Sequence, residues 1–310
     1  MKRKWIFIPI ITLLLVGVIL GSLYDLSIAK ALYSRYNGFG LTMAAFGETP
    51  VYAFMGTLGF GFVWLCKDYK KGWQRAILIF LAIAALGCCT YFQGRHIFNI
   101  NAYNKPKLTF LGLGLGLLIG LIGAGIGYFL FKSSDLTPKQ LLFVLLFITA
   151  CIGVSVGLNQ LTKIFMSRPR FRFLADMDVI QEYYCNWWES GHDVRKLYLS
   201  SPVHFPNGDL VTKEEFKSFP SGHMANTAAV IAIMGMLPVI NKNIKIRSDV
   251  LMGIGIGWCL LLALTRMLVG AHFLSDVSMG MLMTVIVVYV LNEIFTRVYD
   301  KYAQAPQLNE

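Results

Sequence analysis

Apolar runs dominate this chain. They lie at about 5–24, 50–66, 76–92, 108–131, 140–158, 224–240, 250–269 and 273–296. About 20 consecutive apolar residues cross a bilayer as a helix. The runs therefore predict an all-α protein, a polytopic membrane helix bundle of about eight spans, of which 50–66 is the shortest. Composition agrees: only 15% of residues are charged and 56% are hydrophobic, whereas soluble domains run about 25% charged. The first run follows Met1-Lys-Arg-Lys and exceeds the apolar core of a signal peptide, so a retained helix is expected rather than a cleaved leader. Between 25 and 50 the sequence is mixed, with Asp25, Lys30, Arg35, Glu48 and a Gly38-Phe-Gly40 break. That interleaving predicts a short interfacial helix.

Basic residues set the expected orientation. With the N-terminus cytoplasmic, that side receives Lys2, Arg3, Lys4, Lys67, Lys70, Lys71, Arg75, Lys132, Lys139, Lys242, Lys245, Arg247, Arg297 and Lys301, fourteen in all. The opposite short loops hold six: Lys30, Arg35, Arg95, Lys105, Lys107 and Arg266. The positive-inside rule then favours both termini inside. The net charge of +11 follows from this topology. The basic residues are dispersed and form no aromatic-basic platform, which argues against nucleic acid as a partner. The six cysteines show no CxxC pair and predict neither a zinc cluster nor a disulfide framework.

Two segments stand out within this frame. In 111–127, Gly112, Gly116 and Gly120 recur every fourth residue, as do Gly123 and Gly127. A phosphate loop would need an adjoining Lys and Ser/Thr, so close helix packing is the expectation. Residues 159–222 form the only sizeable extramembrane piece, with eight basic and eight acidic residues. Pro169 should end any helix entering it. Tyr183, Tyr184, Trp187 and Trp188 suggest a segment resting at headgroup level, and Arg168 and Arg172 read as headgroup anchors.

Chemistry concentrates at three span ends on the outer side. Lys163 to Arg170 closes the fifth run, Phe219 to His223 opens the sixth, and Arg266 to Asp276 joins the last two. Ionisable groups are costly inside a bilayer, so such clusters are functional by default. Lys163, Arg170 and Arg266 suit an anion with several oxygens. Ser221 and the Gly222 amide precede a helix, where backbone N–H groups favour anions. His272 and Asp276 are four apart, a spacing at which a carboxylate can orient an imidazole. With His223 as a second histidine and no free carboxylate pair for magnesium, these residues describe metal-independent phosphoryl transfer through a phosphohistidine. His96, His192 and His204 lack partners at useful spacing and read as surface residues.

Pro220-Ser221-Gly222-His223 matches the PSGH part of a tripartite signature. Arg266-x5-His272-x3-Asp276 matches SR-x5-H-x3-D with Thr265 for the serine, and Lys163-x6-Arg170 matches K-x6-RP with Phe171 for the proline. The chain thus resembles the type 2 phosphatidic acid phosphatase superfamily, the integral membrane lipid phosphatases, over about 140–296. The resemblance implies His272 as nucleophile, Asp276 as its orienting partner and His223 as general acid. It assigns Lys163, Arg170, Ser221, Gly222 and Arg266 to the phosphoryl oxygens. It implies a six-span phosphatase core at 140–296, preceded by N-terminal helices at 1–139 and followed by a cytoplasmic tail at 297–310.

The expected function is a metal- and cofactor-free lipid phosphatase acting on a phospholipid or polyprenyl (di)phosphate at the outer leaflet. A lipid phosphotransferase would use the same residues. A transporter or flippase for anionic lipid is the reading from another class, and it predicts inverted repeats that are not visible. The chain has no N-x-S/T acceptor, which favours a bacterial plasma membrane. The expected partners are the lipid phosphate and the bilayer, and the sequence leaves the oligomeric state open.

Overall fold

The computed structural model describes residues 4–97 and 109–303. Lys2, Arg3, Lys105, Lys107 and the last seven residues of the expected tail lie outside them. Twelve α-helices and one 3-10 turn occur among the described residues: α1 (Lys4–Leu32), α2 (Gly38–Phe46), α3 (Thr49–Leu65), α4 (Gly72–Ile97), α5 (Phe110–Lys132) and α6 (Pro138–Met166), then α7 (Phe171–Asp176), α8 (Ile180–Tyr183), α9 (His192–Leu199), the turn Lys213–Phe216, α10 (Gly222–Ile240), α11 (Ser248–Leu268) and α12 (Leu274–Ala303). No sheet forms among them, only an isolated bridge between His204 and Leu210.

Seven helices, α1, α4, α5, α6, α10, α11 and α12, are long and apolar enough to cross a membrane. Their outward faces are apolar: Phe129 is 72% exposed, Phe165 69% and Ile83 66%. Water would not tolerate so continuous a belt, and lipid does. The chain is an integral membrane protein. The expected eighth span is α3, which at 17 residues is about 26 Å long, a little short of a bilayer core. Its direction is nonetheless fixed by its ends. Glu48 at its start and His96 at the end of α4 meet 3.5 Å apart. So α3 leaves that face of the bundle and α4 returns to it.

Small residues set the helix pairings, as expected where lipid removes the hydrophobic drive for association. In α5 the glycines at 112, 116, 120, 123 and 127 are buried. A Cβ on Gly116 would lie 2.3 Å from the Thr90 carbonyl, and one on Gly123 would lie 1.9 Å from that of Ala53. Thr57 Oγ1 bridges the α3–α5 contact by donating to the Gly123 carbonyl at 2.8 Å. The glycine stripe is a packing surface, as its spacing predicted. Helices α1 and α12 run antiparallel: Gly21 meets Ser275, Gly17 meets Ser278, and Phe7 packs on Tyr289.

Three sequence expectations shift. The first helix runs on to Leu32 instead of ending near 24, which places Asp25 inside it at 2% exposure. Gly38 begins α2 instead of breaking a helix, because Asn37 caps it by accepting from Gly40 N at 2.8 Å. That helix packs on α4 and α11 and buries Met43, Ala44 and Ala45. The long segment between α6 and α10 begins near 167, not 159, since α6 continues to Met166 before Pro169 prevents further helix. Residues 167–221 then fold over the bundle around a second small core of Phe171, Phe173, Leu174, Phe205, Phe216 and Phe273.

Candidate active site

The three clusters meet, and the local structure shows how. Helix α6 stops at Ser167, which adopts φ 47. This turn sends Arg168 inward and leaves Arg170 at the cavity, with the Arg170 backbone N–H held by Glu215 O at 2.8 Å and its Nε donating to Glu214 O at 2.9 Å. Ser221 caps α10, so the helix starts at Gly222 and His223 falls in its first turn. Helix α11 ends at Leu268, and Gly270 at φ 63 reverses the chain. The Ala271 and His272 N–H groups then donate to Arg266 O at 3.0 and 3.3 Å, which fixes Arg266 beside His272.

A cavity of about 430 Å³ opens among these ends. Lys163, Arg170, Gly222, His223, Arg266 and His272 all line it. Its other wall is apolar, with Leu41, Val51, Met55, Phe92, Ile152 and Val156 from α2, α3, α4 and α6. Arg266 Nε and Nη1 are buried without a hydrogen-bond partner, and so is His223 Nε2. Buried donors of this kind cost about 1–3 kcal/mol each when unsatisfied. A guanidinium so placed is ready for an anion. Lys163 Nζ is held by the Lys217 carbonyl at 2.9 Å and keeps further donors for the cavity.

His272 is 1% exposed, and its Nδ1 lies 2.7 Å from the Ser218 carbonyl. A carbonyl can only accept, so Nδ1 carries the proton and Nε2 keeps its lone pair. Burial pushes the imidazole pKa down to about 3, outweighing the opposite pull of Asp276. The ring is therefore neutral at ordinary pH. Its i,i+4 relation to Asp276 gives 3.8 Å between Nδ1 and Oδ2, too long for a direct hydrogen bond. The sequence expectation that Asp276 orients the ring directly is thus modified: His272 precedes α12, and the Ser218 carbonyl makes the short contact. Asp276 instead braces the segments on either side of the ring. It accepts from Ser218 Oγ at 2.5 Å and from Phe273 N at 2.8 Å.

The largest departure concerns Arg168. Its side chain is fully buried, so it is no headgroup anchor. It donates to Asp276 Oδ1 at 2.7 Å, Ser275 Oγ at 2.9 Å, Asp25 Oδ2 at 3.1 Å and the Cys185 carbonyl at 3.0 Å. Asp25 in turn accepts from Ser275 N at 3.0 Å and also from the Ser275 hydroxyl. Arg172 is likewise buried, in a two-pronged pair with Glu215 at 2.8 and 2.9 Å. Ser221, expected to face the phosphate, is fully buried behind the cavity as the α10 cap. The aromatic group is partly internal: Trp187 stacks on Phe219 and donates to Ser22 Oγ at 2.8 Å, while Trp188 stays exposed.

His192 and His204 are exposed, as expected. His96 is not a surface residue. It is half-buried, with Nε2 3.5 Å from Glu48 and its ring edge-on to His223 at 5.4 Å. His223 and His272 have ring centroids 6.4 Å apart. Sequence reasoning also missed Asp25, Glu48, Ser218 and Asn226. Only Asp25 carried a signal, being an acid where the first apolar run continues into a helix.

Among curated proteins, the chain is 25% identical over 140 residues to a "Protease HtpX homolog" of Leuconostoc citreum, covering 45% of this chain and 43% of that protein. It is 28% identical over 142 residues to a "Protease HtpX homolog" of Limosilactobacillus fermentum, covering 46% and 44%. The chain thus spans less than half the length of these relatives. No solved structure matches it. The family model described as PAP2 superfamily matches residues 142–300, the stretch that contains all three clusters lining the cavity. On that match across half its length, this membrane protein belongs to the PAP2 superfamily.

Proposed function

We propose that the chain is a lipid phosphatase that acts without metal through a phosphohistidine on His272. The observation that carries this reading is the cavity itself, in which Lys163, Arg170 and Arg266 stand with His223 and His272 opposite an apolar wall. A phosphate monoester or diphosphate on a hydrophobic tail matches both halves. Lys163, Arg170 and Arg266 hold the phosphoryl oxygens, aided by the N–H groups at the start of α10. His272 Nε2 attacks phosphorus while His223 gives its proton to the departing oxygen, so the P–N bond forms as the P–O bond breaks. The imidazolium-like ring that results shares its Nδ1 proton with the Ser218 carbonyl, and the Asp276 carboxylate supports the positive charge. Water then attacks phosphorus, His223 takes its proton, and His272 departs with its lone pair restored.

The tail lies against α2–α4, which gives those N-terminal helices a role in holding substrate. The positive-inside rule puts the cavity at the outer leaflet, with α1 beginning and α12 ending on the cytoplasmic side of a bacterial plasma membrane. A phosphotransferase would differ only in the acceptor that reaches the phosphohistidine. A peptidase reading, taken from the name of the relatives, meets a sequence with no His-Glu-x-x-His zinc-protease motif.

The test is phosphate release from a panel of lipid phosphates by purified protein in detergent with EDTA. His272→Ala should abolish release, and His223→Ala should slow it by about 10²–10⁴, the usual worth of a general acid. Orthovanadate should inhibit. Activity that depends on added magnesium would overturn the mechanism.

A further inference from the structure

Glu48 and His96 lie outside the stretch matched by the family, yet they stand against His223. Glu48 caps the start of α3, His96 sits in the last turn of α4, and His223 is in the first turn of α10. Their ligand atoms all lie within 4.8 Å of one another. We propose that Glu48, His96 and His223 form a binding site for a divalent metal of the zinc type, and that its occupation withdraws His223 from phosphoryl transfer.

The donor set fits. Two imidazoles and one carboxylate are a known zinc triad, with the fourth position left to water or substrate. Here that position faces the cavity, which all three residues line. Ligand atoms around a tetrahedral zinc with bonds of about 2.0–2.1 Å stand about 3.3–3.4 Å apart. His96 Nε2 and Glu48 Oε2 are already 3.5 Å apart. His223 Nε2 is buried without a hydrogen-bond partner, as is His96 Nδ1.

The carboxylate is also oriented from behind, as metal-ligating carboxylates are. Tyr52 OH donates to Oε2 at 2.5 Å and Asn226 Nδ2 donates to Oε1 at 3.1 Å. Glu48 is 3% exposed in a cavity otherwise suited to anions. A buried carboxylate there works against a phosphate unless a cation joins it, and a metal on two neutral imidazoles supplies that cation.

The functional half of this proposal rests on His223 acting as general acid, whereas the binding half does not. Full-length protein in detergent, stripped with a chelator, is titrated with zinc alone against a chromophoric zinc indicator. One equivalent should bind per chain, and His96→Ala and the more conservative Glu48→Gln should each weaken binding at least tenfold. Zinc-edge X-ray absorption on the wild-type protein provides a readout that needs no variant. It should show only nitrogen and oxygen ligands at about 2.0–2.1 Å. No bound zinc, equal binding by wild type and both variants, or sulfur ligands at about 2.3 Å from the cysteines would overturn the site.

In lipid phosphate hydrolysis, zinc should inhibit the wild type, and each variant should need at least tenfold more zinc to halve its own metal-free rate. Stoichiometric binding without inhibition would overturn the regulatory claim and leave the site. Failure of the chelator-treated protein to hydrolyse any lipid phosphate would overturn the phosphatase mechanism and leave the binding result intact.

Discussion

Arg168 provides a sharp energetic test, because one buried cation serves two buried carboxylates. Asp25, Arg168 and Asp276 are 2%, 0% and 0% exposed. Replacing Arg168 by Met keeps most of the volume and strands both carboxylates, together with Ser275 Oγ and the Cys185 carbonyl. Breaking a buried pair from one side costs about 3–5 kcal/mol, and with two carboxylates stranded the upper part of that range is expected. Asp25→Asn is milder. It leaves Arg168 paired with Asp276 and keeps an acceptor oxygen, so about 1–3 kcal/mol should be lost from imperfect hydrogen bonding. The double variant is the discriminating one. With Asp25 neutralised, Arg168→Met strands a single charge, so the double variant should lose at least about 1 kcal/mol less than the sum of the singles. Unfolding by SDS in mixed micelles, followed by far-UV circular dichroism, measures all three. Additive losses, or an Arg168→Met loss below about 1 kcal/mol, would refute the shared-cation network.

Other expectations follow from single residues. The His272 pKa is about 3 in the fold and about 6.5 in an unfolded chain. Between those values the unfolded state binds the extra proton. This contribution is therefore intact above about pH 6.5 and is lost as pH falls towards 3, at up to about 1.4 kcal/mol per unit. His272→Asn should lose less stability than wild type over that range in the same unfolding assay, and parallel pH profiles would contradict the assignment. Gly123→Ala should destabilise by about 1–3 kcal/mol or more, because its Cβ would meet the Ala53 carbonyl. Gly125→Ala, which meets nothing within 4 Å, should be neutral or stabilising by up to about 1 kcal/mol. Trp187→Phe keeps the stacking on Phe219 but loses the bond to Ser22, for about 0.5–1.5 kcal/mol by the same assay.

The parts of the site that follow one another along span ends were legible in the sequence. Alternating crossings bring Lys163, Arg170, His223, Arg266 and His272 to one face, and the structure lines one cavity with them. The spacing of Gly112, Gly116, Gly120, Gly123 and Gly127 foretold close packing because helical period and small side chains are local properties. The partners of Arg168 and Glu48 were not legible. Asp25 is 143 residues from Arg168, and Glu48 is 178 residues from Asn226. No local spacing encodes such contacts; they exist because α1 packs on α12 and α3 on α10. Ser218 was hidden for another reason: it holds Nδ1 of His272 through its backbone carbonyl, a group every residue has.

The central claim is that His272 Nε2 becomes the phosphoryl carrier. The most direct measurement is a rapid quench of protein mixed with lipid phosphate labelled with ³²P, followed by mapping of any labelled residue. The account predicts an acid-labile, base-stable phosphoryl group on His272, present with EDTA and missing from His272→Asn. Label on another residue, an acid-stable phosphoester, or undiminished labelling of His272→Asn would contradict it.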